Sequence, residues 1–274
     1  MGLEPDKTNA SASAYVREVW RKHLADFPFW ETQDCNLHIS YQSPHVPELI
    51  RLSELFQVEK HFSGDNDLNR IFSLMSYVHC IARKNGHNAS PAIKNTVEIM
   101  KAAESGTLWC WDYATVLTEM LLCMGIKAVS VSCMPNVFDY DRHAGVMAYL
   151  TDRKKWAYFD PTFNTYFCDD APMDIFEIRS AYARGEAPSF RHIDIKKDWV
   201  LVLNGIQYEN YDSWYSDYML KNTFRFCLPL NSAYGCSTTN CQYVFISPKG
   251  YDIKNDYDVA GSIYTQACGA ILLS

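Results

Sequence analysis

The spacing of apolar residues along the chain changes once, and that change predicts the fold class. In the first half, apolar residues recur every three to four positions, as they do along one face of a helix. Helices are predicted on this basis over residues 15–27, 68–83, 91–100 and 110–124. After Gly125 the period falls to two, which is typical of strands with alternating faces.

The second half of the chain is predicted to be mostly strands. Strands are expected over residues 127–133, 143–150 and 155–160, a helix over 173–185, and further strands over 199–203, 223–228, 242–247 and 257–264. A short strand or extended arm is also predicted over 35–41. Helices followed by an antiparallel meander indicate an α+β fold. We therefore expect a disordered N-terminus over 1–14, one α+β domain over 15–190 and a β-rich C-terminal extension over 195–274.

Charge and hydropathy exclude several classes of protein. The chain has 25 Lys and Arg against 32 Asp and Glu, a formal charge of −7, which argues against a nucleic-acid partner. No apolar run approaches the roughly 20 residues that span a bilayer, so no transmembrane segment is predicted. The first residues lack the basic and then apolar order of a signal peptide. We expect a soluble cytoplasmic protein, or a cell-envelope or secreted one if a leader has been trimmed.

The ten cysteines are scattered at irregular spacing and are expected to be reduced and mostly buried. Cys236 and Cys241 are the exception, since they could close a short disulfide loop or supply half of a zinc site. The nearest histidine, His192, lies far upstream, and Asp252, Asp256 and Asp258 lack the spacing of a calcium loop. No cofactor and no metal ion are predicted.

Three residues form a candidate constellation: Cys110 at a predicted helix N-terminus, His143 at a strand start and Asp160 at a strand end. The positive end of a helix favours a thiolate. An imidazole on the adjacent strand can take the thiol proton and return it to a leaving amine. A carboxylate on the next strand can fix the histidine tautomer. The pattern predicts a cysteine nucleophile, its base and an orienting group.

The local sequences around these residues resemble the motifs of the transglutaminase-like superfamily. The stretches that carry the resemblance are 106–114 (GTLWCWDYA), 121–128 (LLCMGIKA), 142–146 (RHAGV) and 155–162 (KWAYFDPT). The resemblance covers roughly residues 66–185. It implies a papain-like fold, in which the catalytic helix packs on an antiparallel sheet, and a catalytic triad of Cys110, His143 and Asp160.

The resemblance also implies thiol-dependent acyl chemistry on an amide of a peptide or protein, through a thioester on Cys110. Hydrolysis of the cysteine-peptidase kind is expected, because water is always present. Amine transfer to protein glutamine is the alternative. A third reading is a non-catalytic module for peptide or glycan, for which the aromatic stretch 208–218, expected to be a loop, is a candidate surface. The sequence makes no prediction of oligomeric state.

The oxyanion hole is predicted only in part. The backbone N–H of Cys110 is one expected donor. In this superfamily the second donor is a side chain upstream of the nucleophile, and Tyr77, His79 and His87 are the candidates. Trp109 and Trp111 are expected to shape the pocket or to exclude water. Asp139 and Asp141 precede the histidine and either contact a substrate amine or solvate their loop.

Overall fold

The computed structural model describes residues 7–30, 37–82, 84–85, 90–104, 106–136, 141–194, 201–236, 241–252 and 261–266. The helices are α1 (Lys7–Asp26), α2 (Pro47–Phe56), α3 (Val58–His61), α4 (Asp67–His79), α5 (Thr96–Ala103), α6 (Cys110–Cys123), α7 (Ile175–Ala183) and α8 (Tyr211–Asn222). The strands of the main sheet are β4 (Ala128–Met134), β5 (His143–Leu150), β6 (Lys155–Asp160), β7 (Thr165–Phe167), β8 (Phe190–His192), β11 (Arg225–Pro229), β13 (Tyr243–Ile246) and β14 (Ile263–Thr265). Short two-stranded pairs are made by β1 (Ser40–Tyr41) with β12 (Asn231–Ser232), β2 (Lys84–Asn85) with β3 (Thr107–Leu108), and β9 (Val202–Leu203) with β10 (Ile206–Gln207).

One sheet organises the fold. Its strand order is β14-β13-β11-β4-β5-β6-β7-β8, antiparallel except for the β13–β14 pair. The strands predicted over 143–150 and 155–160 are found at those residues, and the strand predicted over 127–133 is shifted by one. The α+β class is confirmed, with α6 packed on an antiparallel sheet.

The central strands are buried on both faces. Ala144, Val146 and Ala148 of β5 pack in the core that contains α4, α5 and α6. Val129 and Val131 of β4 belong to the opposite core, which contains α1, α7 and α8. Burial of an apolar side chain in this way contributes about 1.5–3 kcal/mol to the stability of the folded state. Because helices cover both faces of the sheet, strands β4, β5 and β6 are almost entirely buried.

The N-terminal helices differ from their predicted bounds for local reasons. α1 begins at Lys7, inside the segment expected to be disordered, where alternate alanines favour a helix. α4 ends at His79 and not at residue 83, because β2 pairs in parallel with β3. The helix predicted from Pro91 begins at Thr96, where the Asn95 side chain accepts the Glu98 N–H. α2 and α3 were not predicted.

The C-terminal region continues the main sheet and adds a helix. β11 pairs with β4, and β13 pairs with β11. The stretch expected to be an aromatic loop is helix α8, whose start is capped because the Asn210 side chain accepts the Ser213 N–H. The strands predicted over 35–41, 199–203 and 257–264 fall partly outside the described residues. Within the described part of the chain, no helix is long and apolar enough to span a membrane.

Candidate active site

Helix α6 presents Cys110 as its first residue. The preceding backbone N–H, that of Trp109, donates to Asp112 Oδ2 at 2.9 Å. Asp112 is fully buried, and its other oxygen accepts a hydrogen bond from Lys94 Nζ at 2.7 Å. A carboxylate in the first turn favours the start of a helix. Cys110 is therefore fixed at a well-defined helix N-terminus, where it is partly exposed.

Strands β5 and β6 bring His143 and Asp160 together. His143 begins β5, Asp160 ends β6, and the strands are antiparallel neighbours. His143 Nε2 donates to Asp160 Oδ2 at 2.6 Å, and both side chains are completely buried. With Nε2 on the carboxylate, Nδ1 is the ring nitrogen left for Cys110.

The surroundings of His143 favour its imidazolium form. Burial lowers the pKa of His143, but the charge and hydrogen bond of Asp160 and the neighbouring Cys110 outweigh it and raise the pKa to about 10. The structure thus pairs His143 with Asp160 and places Cys110 near enough to raise the pKa of the histidine ring.

Asp160 accepts three hydrogen bonds. Besides His143, the Phe163 N–H donates to Oδ1 at 3.1 Å and the Tyr215 hydroxyl donates to Oδ2 at 2.9 Å. Burial raises the pKa of Tyr215 well above its ordinary value, so the hydroxyl keeps its proton and remains a donor. Behind this turn, His79 Nδ1 donates to the backbone carbonyl of Thr162 at 3.1 Å. The carboxylate is held from several sides.

Aromatic rings enclose the histidine. The centroids of Phe163 and Tyr218 each lie 5.2 Å from that of His143, with Tyr218 edge-on. Gly145 on the same strand leaves room for another ring, since a Cβ there would lie 2.4 Å from the Tyr158 hydroxyl. The site is therefore closed to water on the face of the sheet that α8 covers.

Sequence reasoning missed the residues that α8 contributes. Tyr215 and Tyr218 were expected in a loop, although Tyr218 and Met219 follow Tyr215 by three and four positions, as on one face of a helix, and Asn210 is a good N-cap. The signal for a helix was present. That two of its tyrosines reach the histidine and aspartate depends on tertiary packing and has no local signature.

The remaining predicted site residues have other contacts. Tyr77 stacks on His61 with ring centroids 3.7 Å apart, and His79 supports the turn after Asp160. His87 and Asp139 lie outside the described residues, so the second oxyanion donor stays a prediction. Lys221 Nζ donates to Asp141 Oδ2 at 2.6 Å.

The two tryptophans beside the nucleophile are both partly accessible to solvent. Trp109 is 46% exposed and Trp111 is half-buried. Asp256 and Asp258 lie outside the described residues. Among the residues that the structure describes, no group of three His, Cys, Asp or Glu side chains is arranged to hold a metal ion.

Comparison with known proteins identifies the segment that contains the site. Residues 58–161 match the sequence profile of the transglutaminase-like superfamily. No curated protein matches the chain. A solved structure, a Cytophaga hutchinsonii protein provisionally named a cysteine protease, is 16% identical, with 41% of this chain and 37% of that chain covered and a TM-score of 0.35. This chain thus covers little more than a third of that protein, and so weak a likeness supports no conclusion on fold or activity. The matched segment, residues 58–161, includes α4 to α6, β4 to β6 and all three predicted site residues, and it is similar in sequence to the transglutaminase-like superfamily.

Proposed function

We propose that the chain is a cysteine hydrolase of amide bonds in peptides or proteins, with Cys110 as nucleophile, His143 as base and Asp160 as the group that orients the histidine. The observation that carries the proposal is the buried pair of His143 and Asp160, 2.6 Å apart, which leaves Nδ1 for a thiol at the N-terminus of a helix. The match of residues 58–161 to a superfamily that generally contains enzymes supports it further.

The reaction follows from these positions. His143 already holds the Cys110 proton on Nδ1 as an imidazolium, and the Cys110 thiolate attacks the amide carbon. The backbone N–H of Cys110 stabilises the oxyanion. Collapse breaks the C–N bond, His143 protonates the leaving amine, and a thioester remains. Water, deprotonated by His143, then attacks the thioester, which releases a carboxylic acid and restores the thiol. Asp160 keeps the Nε2 proton in place throughout.

The buried pair of His143 and Asp160 favours catalysis over binding alone. A buried ion pair is costly to desolvate, and replacing it with apolar residues is often neutral or stabilising. A module that only binds peptide or glycan has no use for a buried ion pair beside a helix-terminal thiol.

Hydrolysis is favoured over amine transfer because water needs no acceptor site of its own, whereas an amine acceptor does.

An acyl-enzyme experiment tests the proposal. The protein is mixed with p-nitrophenyl acetate, quenched in acid and digested with trypsin. We expect one acetyl group on Cys110 in the peptide of residues 102–127, and none in Cys110→Ala. Cys123 in the same peptide is the internal control, because burial raises its pKa to about 12. Acetylation of Cys123 and not of Cys110 would contradict the proposal.

A second measurement separates water from amine as acceptor. Decay of the acetyl-enzyme is followed with and without a primary alkylamine. A hydrolase loses the acetyl group at the same rate in both, with acetate as product. Faster decay with formation of the acetylated amine would replace hydrolysis by amine transfer.

A further inference from the structure

Two cysteines outside the candidate active site lie in direct contact. Cys236 Sγ and Cys241 Sγ are 2.9 Å apart and are not joined by a disulfide bond. Cys236 is buried and Cys241 is partly exposed. The sequence left a disulfide loop and half of a zinc site open for this pair. Among the described residues there is no further ligand set for zinc, so the redox alternative is the one that the geometry favours.

We propose that Cys236 and Cys241 are a reversible thiol–disulfide site, oxidised by small disulfides of the glutathione class. The site is distinct from Cys110 and does not depend on the proposed hydrolase function.

The backbone on both sides of the pair is already fixed. The Cys236 N–H donates to the Ala233 carbonyl at 3.1 Å, and the Gly235 N–H donates to Glu119 Oε1 of α6 at 2.8 Å. On the other side, the Leu230 N–H donates to the Gln242 carbonyl at 2.8 Å. A disulfide needs sulfurs about 2.05 Å apart, so closure from 2.9 Å requires a movement of less than about 1 Å.

The two thiols differ in a way that assigns their roles. The hydrogen bond from Cys236 and those from backbone groups lower the pKa of Cys241 to about 7, against the effect of burial. The same hydrogen bond, together with burial, raises the pKa of Cys236. The partly exposed Cys241 is therefore the attacking thiolate. The buried Cys236 is the resolving thiol.

The exchange balances with one small disulfide as oxidant. The Cys241 thiolate attacks one sulfur of glutathione disulfide, a mixed disulfide forms, and one glutathione thiolate leaves. Cys236 then loses its proton to that thiolate and attacks Cys241 Sγ. The Cys236–Cys241 bond forms and a second glutathione leaves. The protein is oxidised by two electrons, and one glutathione disulfide is reduced to two thiols.

Mass spectrometry of the full chain tests the site. The protein is incubated with glutathione disulfide, its remaining thiols are alkylated, and it is digested with trypsin. The peptide of residues 226–249 contains Cys227, Cys236 and Cys241. We expect this peptide to lose two hydrogens and to carry one alkyl group, on Cys227. Dithiothreitol should restore three alkylated cysteines.

Variants separate the two roles. Cys236→Ser should keep glutathione on Cys241, because the resolving thiol is missing, and Cys241→Ser should take up none in this peptide. Cys80→Ser removes an exposed thiol elsewhere and should leave the disulfide unchanged. Two results in the unaltered chain would overturn the proposal, whether or not the variants fold. One is a glutathione adduct that persists on Cys241. The other is an unchanged 226–249 peptide in a sample where Cys80 has been modified.

Discussion

At the scale of single residues, replacing Tyr215 tests how much its hydrogen bond to Asp160 contributes to stability and to activity. Its hydroxyl donates to the buried carboxylate at 2.9 Å, and hydrogen bonds to charged groups contribute about 1.5–3 kcal/mol. We expect Tyr215→Phe to lower the free energy of unfolding by about that amount and to slow hydrolysis of the acetyl-enzyme about tenfold. Tyr182→Phe is the matched control, because the Tyr182 hydroxyl donates to a neutral carbonyl, that of Ser216. If both variants slow hydrolysis equally, Tyr215 does not act through Asp160.

His143 makes the free energy of unfolding depend on pH between about 6.5 and about 10. Its folded pKa of about 10 lies above the ordinary value of about 6.5, because of Asp160 and Cys110 and in spite of burial. A raised histidine pKa contributes stability that is complete below pH about 6.5 and is lost as the pH rises through about 10. The difference in free energy of unfolding between the unaltered protein and His143→Gln should therefore shrink from pH 6.5 to pH 10. Denaturant titrations that give a constant or growing difference would contradict this.

At the scale of elements, the N-terminus of α6 depends on one carboxylate. Asp112 accepts the Trp109 N–H and pairs with Lys94, and its side chain is fully buried. We expect Asp112→Ala to cost about 2 kcal/mol of stability and to reduce alkylation of Cys110, since the helix start loosens. Asp26→Ala breaks the exposed pair with Lys22 and should cost no more than about 0.5 kcal/mol. Equal losses by denaturant titration would show that the buried carboxylate has no special role.

Elements with a clear period were predictable, and those defined by packing were not. β5 and β6 follow from their apolar patterns and flanking turns, and α6 from its apolar face. α2 lies in a segment with a weaker pattern, where Pro47 at the first turn is the main signal. The end of α4 could not be located, because β2 forms only by pairing with β3, far along the chain.

At the scale of the whole molecule, the sheet joins the matched segment to the C-terminal region. β11 covers the free edge of β4, and α8 covers the face that holds His143. We expect a chain that ends at residue 194 to aggregate, because the β4 edge and the apolar ring of Phe163 become exposed. Size-exclusion chromatography and thermal unfolding provide the readout. A soluble monomer that unfolds cooperatively would show that residues 195–274 are a separate module.

The three residues of the candidate site were predictable from the sequence, whereas the groups that surround them were not. The order of Cys110, His143 and Asp160 and their flanking motifs predicted the three groups of the candidate site, of which the structure pairs His143 with Asp160. The donors from Phe163 and Tyr215 were not predictable, because the first arises from a turn and the second from a helix residue 55 positions beyond Asp160. Their contribution is set by long-range packing of α8 on the sheet.

The central claim is that His143 activates Cys110, and the pH dependence of alkylation tests it most directly. Rate constants for iodoacetamide at Cys110 are measured by quenched mass spectrometry from pH 5 to pH 9, with Cys241 followed separately as a second reactive thiol. The account predicts a high rate that is nearly flat from about pH 6 to pH 8 in the unaltered protein and in His45→Gln, which changes an exposed histidine. In His143→Gln the rate should be low at pH 6 and rise with pH, as it does for a thiol that no base activates. The same pH curve in the unaltered protein and in His143→Gln would contradict the account.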